Sequence, residues 1–132
     1  MREDMQECTF GVDSGYVELA AEVFTMLSDA TRIRIILALR DHGELSVNHL
    51  ADIVDKSPTA ISQHLAKLRW GRIVAARQEG TRVFYSLIDE HARELVQQAV
   101  FQAEHAVEDQ PRHHNGTHPS PARLVISGPA AS

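Results

Sequence analysis

The chain has 132 residues, 43% hydrophobic and 23% charged, with a formal net charge of −5, a length that suits one domain with a modest core. No apolar run reaches the roughly 18–20 residues that a membrane-spanning helix needs. The polar, acidic start MREDMQECTFG lacks the apolar centre of a secretory signal, which points to the cytoplasm. Net acidity argues against nucleic acid as a partner until its distribution is considered. Between Lys56 and Arg82 lie six basic residues (Lys56, Lys67, Arg69, Arg72, Arg77, Arg82) and one acid, Glu79, a local charge of +5. A local basic patch is what phosphate contact requires.

Residues 1–14 show no periodicity and read as a flexible arm, with the single cysteine, Cys8, as a thiol in it that cannot form an internal disulfide. Over 16–27, Ala20, Val23, Phe24 and Leu27 fall at i, i+3, i+4 and i+7, one face of a helix. Ser28 and Asp29 punctuate it and can cap the next helix. That second helix is predicted over 31–40 with Ile33, Ile36 and Leu37 inward, ended by Asp41-His42-Gly43. Ser46 is the next N-cap candidate, and Val47, Leu50, Ala51 and Val54 repeat the helical spacing. Asp55-Lys56 makes the break.

Ser57 then caps a helix to about Arg69, with Pro58 at the first position, where its missing N–H costs nothing. Two short helices across a tight turn are the helix-turn-helix signature. On the second, Ile61, Leu65 and Leu68 cluster on the core side at about 100° per residue. Thr59, Ser62, Gln63, Ala66 and Lys67 lie opposite. Gln63 suits adenine, Thr59 and Ser62 suit bases or phosphates, and Lys67 suits phosphate. Taken alone the helix reads as an ordinary amphipathic surface helix; the cap, the preceding helix and the basic hairpin after it favour DNA reading. His64 borders the apolar stripe and reads as a packed or backbone-bonded residue rather than a base reader. After Gly71, 73–77 and 82–87 read as strands of period two around a turn at 78–81, with Gly80 supplying positive φ. Arg77 and Arg82 flank this tip, as a wing on the phosphate backbone would require.

Asp89 caps a predicted helix to about Val107, striped by Ala92, Leu95, Val96, Ala99, Val100, Ala103 and Ala106 or Val107. Beyond Asp109 the composition turns to Pro, Gly and Ser, a disordered tail. His91, His105, His113, His114 and His118 fall in this last third, with Asp89, Glu104, Glu108 and Asp109 nearby. Imidazole and carboxylate suit borderline divalent metals such as nickel, cobalt and zinc. The plain alternative is a solvated charged helix with a polar tail. His91 and His105 are fourteen residues apart, about 40° short of whole turns and roughly 21 Å along the axis. Ligand bonds of about 2 Å cannot join them within one helix. An antiparallel copy, with its two-fold axis near Gln98, sets His91 of one subunit against His105 of the other. His113 and His114 can fold back to complete two such sites.

The segments LSDATRIRIILAL, ELSVNHLAD, SPTAISQHLAKLRWGRIVAARQEGTRVFYSL and the terminal helix beginning DEH resemble the ArsR/SmtB family of bacterial winged-helix metal-sensing repressors. The resemblance spans 17–105. It implies a mainly α-helical winged helix-turn-helix fold with a small β-hairpin. It also implies a homodimer joined by its first and last helices, on an operator in its own control region, released by metal. Three regions result: an arm at 1–14, a DNA-binding and dimerisation domain at 15–107, and a histidine-containing tail at 108–132. Many members carry cysteines in a pattern like ELCVCDL; Ser46 and Asn48 stand there instead, which disfavours arsenic, lead, mercury and cadmium. The family's zinc site uses Asp-x-His early and His-x-x-His or His-x-x-Glu late. Asp89 and His91 match the early half, but Gln102 replaces the first late ligand. The pattern resembles the nickel/cobalt-sensing branch more, with PRHH at 111–114 like that branch's tail. The implied ligands are His91, Glu104, His105, His113 and His114, with Asp89 beside them. The alternatives are a winged-helix regulator answering zinc or a non-metal signal, and a metal-buffering protein. No nucleophile–base arrangement, phosphate loop or HExxH suggests an enzyme.

Overall fold

The computed structural model describes residues 10–108. In chain order the elements are α1 (Val17–Leu27), α2 (Ala30–His42), β1 (Leu45–Ser46), α3 (Val47–Val54), α4 (Pro58–Trp70), β2 (Val74–Glu79), β3 (Arg82–Leu87) and α5 (His91–Glu108). Side-chain caps start the middle helices where expected. Asp29 accepts from Arg32 N–H at 3.0 Å, Ser46 from His49 N–H at 3.3 Å and Ser57 from Ala60 N–H at 3.1 Å. Each satisfies a donor that the first helical turn leaves without a partner.

The core gathers on α2. Ile35, Ile36 and Leu39 are fully buried among Leu50, Ile61, Leu65, Leu68 and Val74. This corrects the expected inward set: Ile36 is buried, but Ile33 and Leu37 are only partly covered, and Ile35 and Leu39 take the centre. The reason is that α2 packs against α3, α4, α5 and β3 together. A helix covered on several sides carries apolar residues around most of its girth, so periodicity singles out no face.

The wing is a three-stranded antiparallel sheet in the order β1-β3-β2. The hairpin runs in register from Val74 opposite Leu87 to Glu79 opposite Arg82. Its turn is therefore the two residues Gly80-Thr81, shorter than the expected 78–81, with Gly80 at φ 65°. The third strand, β1, was not expected. Leu45 pairs with Tyr85 and Ser46 with Phe84, which ties the hairpin to the body. A two-stranded ribbon alone is only marginally stable.

At the end of α4, Arg72 N–H donates to the Arg69 carbonyl at 3.0 Å and Ile73 N–H to the Leu68 carbonyl at 2.9 Å. These are the paired bonds of a Schellman motif. Its left-handed position falls on Arg72, at φ 63°, where a β-carbon costs roughly 1 kcal/mol. Gly71 sits one residue earlier with ordinary φ, and a β-carbon there would come within 2.9 Å of Met26 Cε, the movable end of a flexible side chain.

The terminal helices behave differently. α1 buries only Leu27; Ala20, Val23 and Phe24 of its expected apolar face are exposed. α5 buries Ala92 and Val96, while Leu95, Ala99 and Phe101 remain exposed. Asp89 does not cap α5 directly. Its carboxylate accepts from His91 N–H at 2.9 Å in an Asx turn, and the first helical bond goes from Glu94 N–H to the Glu90 carbonyl.

Candidate nucleic-acid interface and terminal-helix site

The outer face of α4 is assembled as its sequence suggests. Ile61, Leu65 and Leu68 are fully buried and hold the helix down. Thr59, Ser62, Gln63, Ala66 and Lys67 are exposed on the opposite side. His64 is half-buried and accepts, through Nδ1, a 3.1 Å bond from Arg32 Nε, so it is bonded to a side chain rather than to backbone. Arg32 also donates to the Met26 carbonyl at 3.1 Å. Asp29 Oδ2 stands 3.9 Å from His64 Nδ1. The Arg32 backbone N–H, and with it the nearby Arg32 guanidinium, holds the Asp29 carboxyl below its usual range. This latch locks the start of α2 to the back of α4. Sequence reasoning missed Arg32, and a partner 32 positions away leaves no local signal.

Arg77 and Arg82, alike in the sequence, have different surroundings. Arg77 Nε and Nη2 bind both carboxylate oxygens of Glu44 at 2.8 and 2.9 Å, and Nη1 binds Glu79 at 3.0 Å. This planar fork is the bidentate geometry guanidinium favours. Bonding to Glu44, then to Glu79, raises the Arg77 pKa, and Arg77 in turn lowers that of Glu44. Glu44, unforeseen in the sequence, thus binds the wing to the loop before β1. Arg82 stands next to the turn, forms no ion pair among the described residues, and lies 5.3 Å from the Phe84 ring centroid. Arg77 lies 5.0 Å from the same ring. Of the two, Arg82 is the one without an ion pair among the described residues.

On α5, His91, Glu104 and His105 are exposed, as is Asp89 just before it. His91 and His105 stand on one unbroken helix, so the separation of roughly 21 Å applies. Among the described residues of a single chain, no three His, Cys, Asp or Glu side chains converge in a metal-holding group. His113, His114 and His118, with Cys8, Asp109 and nearly all of the tail 108–132, lie outside the described residues. At the family's thiolate position, Ser46 is buried and occupied in capping α3.

A capped helix-turn-helix with an exposed polar face, followed by a basic hairpin, defines a winged-helix DNA-binding protein. The family model described as "Bacterial regulatory protein, arsR family" matches residues 29–76. The chain is 54% identical over 96 residues to the HTH-type transcriptional regulator KmtR of Mycobacterium tuberculosis, covering 73% of each protein. Among solved structures, the AntR antimony-specific transcriptional repressor superposes with a TM-score of 0.67 at 26% identity, over 77% of this chain and 93% of that one. The homodimeric winged helix-turn-helix domain of Mb0332 from Mycobacterium bovis gives 0.64 at 27% identity, over 81% and 99%. The chain belongs to the ArsR family of bacterial transcriptional regulators. No helix among the described residues is long and apolar enough to cross a membrane.

Proposed function

We propose that this chain is a homodimeric, metal-responsive repressor, released from its operator by nickel or cobalt bound between the α5 helices of two subunits. The observation that carries the reading is the placement of His91 and His105. Both are exposed on one continuous helix, too far apart to share a metal within a chain. A second, antiparallel α5 brings His91 of one copy to His105 of the other. The exposed apolar residues of α1 and α5 give the copies a reason to pair.

The donor set fits such an ion. Imidazoles and carboxylates are offered, with no thiolate at Ser46 or Asn48, and nickel, cobalt and zinc accept nitrogen and oxygen ligands. His91, Glu104 and His105 would hold the metal with His113 and His114 of the tail, and Asp89 stands close by in sequence. Bound there, the ion supplies a link between the two terminal helices.

Linkage connects this site to DNA. Thr59, Ser62, Gln63 and Lys67 read the major groove, and Arg82 meets phosphate beside it. Two α4 helices in a dimer must match successive major grooves. Metal that binds better to a differently spaced dimer shifts the population away from DNA, and a coupling of about 1–3 kcal/mol is typical of such systems. His105→Ala is expected to keep operator binding and lose release by nickel or cobalt, measured by mobility shift. Normal release by that variant would refute the site.

A further inference from the structure

The back of α4 meets the start of α2 through side chains whose bonding depends on a single proton. His64 Nδ1 accepts from Arg32 Nε at 3.1 Å, and Arg32 Nη1 donates to the Met26 carbonyl at 3.1 Å. A ring nitrogen that accepts carries no proton, so this imidazole is neutral, with its hydrogen on Nε2. Asp29 Oδ2 stands 3.9 Å from the same Nδ1 and accepts from the Arg32 backbone N–H. His64 thus has a cation as its partner and a carboxylate just out of hydrogen-bond reach.

A proton taken up from solvent at Nδ1 inverts this arrangement. Nδ1 becomes a donor, and no bond can form between it and Arg32 Nε, a second donor of like charge. The Asp29 carboxylate becomes the favoured partner. Its lowered pKa keeps it charged through the range in which imidazole ordinarily protonates. The His64 side chain is 24% exposed, so solvent protons reach it. Asp29 and Arg32 face it from α2, and Glu22 of α1 and Lys67 of α4 border one groove with Arg32. α3 and the turn after it carry His49, Asp52, Asp55 and Lys56, and β2 carries Arg77 and Glu79. Among the described residues none of these bonds or pairs with His64, whose side-chain contacts are with Arg32 and Asp29.

α4 is fixed along one line by Ile61, Leu65 and Leu68, all fully buried. His64 borders that line, so exchanging Arg32 for Asp29 turns the helix about it instead of lifting it away. The turn is felt at Gln63, the adjacent residue, and at Lys67, one turn further along. We propose that Asp29, Arg32 and His64 form a proton-operated switch on the reading helix. Neutral His64 bonded to Arg32 sets α4 for its operator, and protonated His64 bonded to Asp29 releases it without metal. The proposal rests on α4 being the helix that reads DNA.

The test measures binding of the full chain, in EDTA, to a fluorescein-labelled duplex from upstream of its own coding sequence and to a mixed-sequence duplex. Measurements at about pH 8 and about pH 5.5 bracket the ordinary imidazole range. The ratio of the two affinities is the readout, because added positive charge strengthens binding to any DNA. On acidification the parent ratio is expected to fall at least about fivefold, the lower end of typical allosteric couplings. His64→Gln, whose amide oxygen can accept from Arg32 but takes up no proton, is expected to hold its ratio constant. Asp29→Asn keeps a cap for α2 and removes the carboxylate, so its transition is expected at lower pH. NMR of the ring nitrogens should show His64 Nδ1 bare at the higher pH and protonated at the lower. A parent ratio that does not fall, an equal fall in His64→Gln, or a His64 ring that stays neutral would overturn the switch. Gln63→Ala at the higher pH separates that failure from a failure of the reading helix. Weaker binding to the upstream duplex keeps α4 as the reader, whereas unchanged binding removes that assignment and the switch together.

Discussion

The DNA-facing half of the molecule is complete within one chain, and the terminal helices are not. α4 is capped by Ser57, anchored by three fully buried residues and latched to α2 through His64 and Arg32. The wing is held by β1 and by the Glu44–Arg77 fork. α1, by contrast, buries one side chain, and much of the apolar surface of α5 remains in solvent. Reading DNA calls for a rigid surface that a single chain can build. Responding to a ligand calls for two arrangements of similar energy, and these are more readily found between subunits than inside a close-packed core.

This contrast can be broken from either side. The largest effect is expected in the reading half. Leu65→Ala opens a cavity in the core and should cost about 2–5 kcal/mol in denaturant unfolding. A change well below that range would mean that α4 is not anchored as described. In the terminal half, Leu95→Ser removes apolar surface that lies partly in solvent. It should leave the secondary structure of the chain intact and weaken self-association, as read by analytical ultracentrifugation. A variant that loses thermal stability yet self-associates like the parent would reverse the comparison.

Smaller effects probe the latch and the strut. Asp29→Ala removes the cap of α2 and one neighbour of His64, for a loss of about 1 kcal/mol. The Asp29 and Glu44 carboxyls titrate below their ordinary values. Their stabilisation is therefore complete above the unfolded carboxylate range and is lost as pH falls through their lowered folded values. Thermal unfolding of Glu44→Gln against pH should show a shallower acid limb than the parent. An unchanged acid limb would show that the Glu44–Arg77 fork carries no measurable stability.

The same contrast explains what could be read in the sequence. Short-range devices were legible: the caps Asp29, Ser46 and Ser57, Pro58 at the start of α4, and the buried stripe Ile61-Leu65-Leu68. Each depends on neighbours within a few residues. Long-range pairings were not. β1 is two residues long, too short to show alternation, and exists because β3 offers an edge to Leu45 and Ser46. Arg77 looked like Arg82 because a charge count records the cation and not Glu44, 33 positions away. On α2 the core was misplaced because burial on several sides erases the periodic signal. The ligands proposed on α5 show only their spacing in a single chain, since the proposed site draws its other partners from a second copy and from residues outside those described.

The most direct test of the central claim is fluorescence anisotropy of the full chain on its own upstream duplex, with nickel, cobalt and zinc titrated separately. We expect tight binding without metal, and release by nickel or cobalt that requires both His91 and His105. Binding that persists at saturating nickel and cobalt, with metal uptake confirmed by calorimetry, would contradict it.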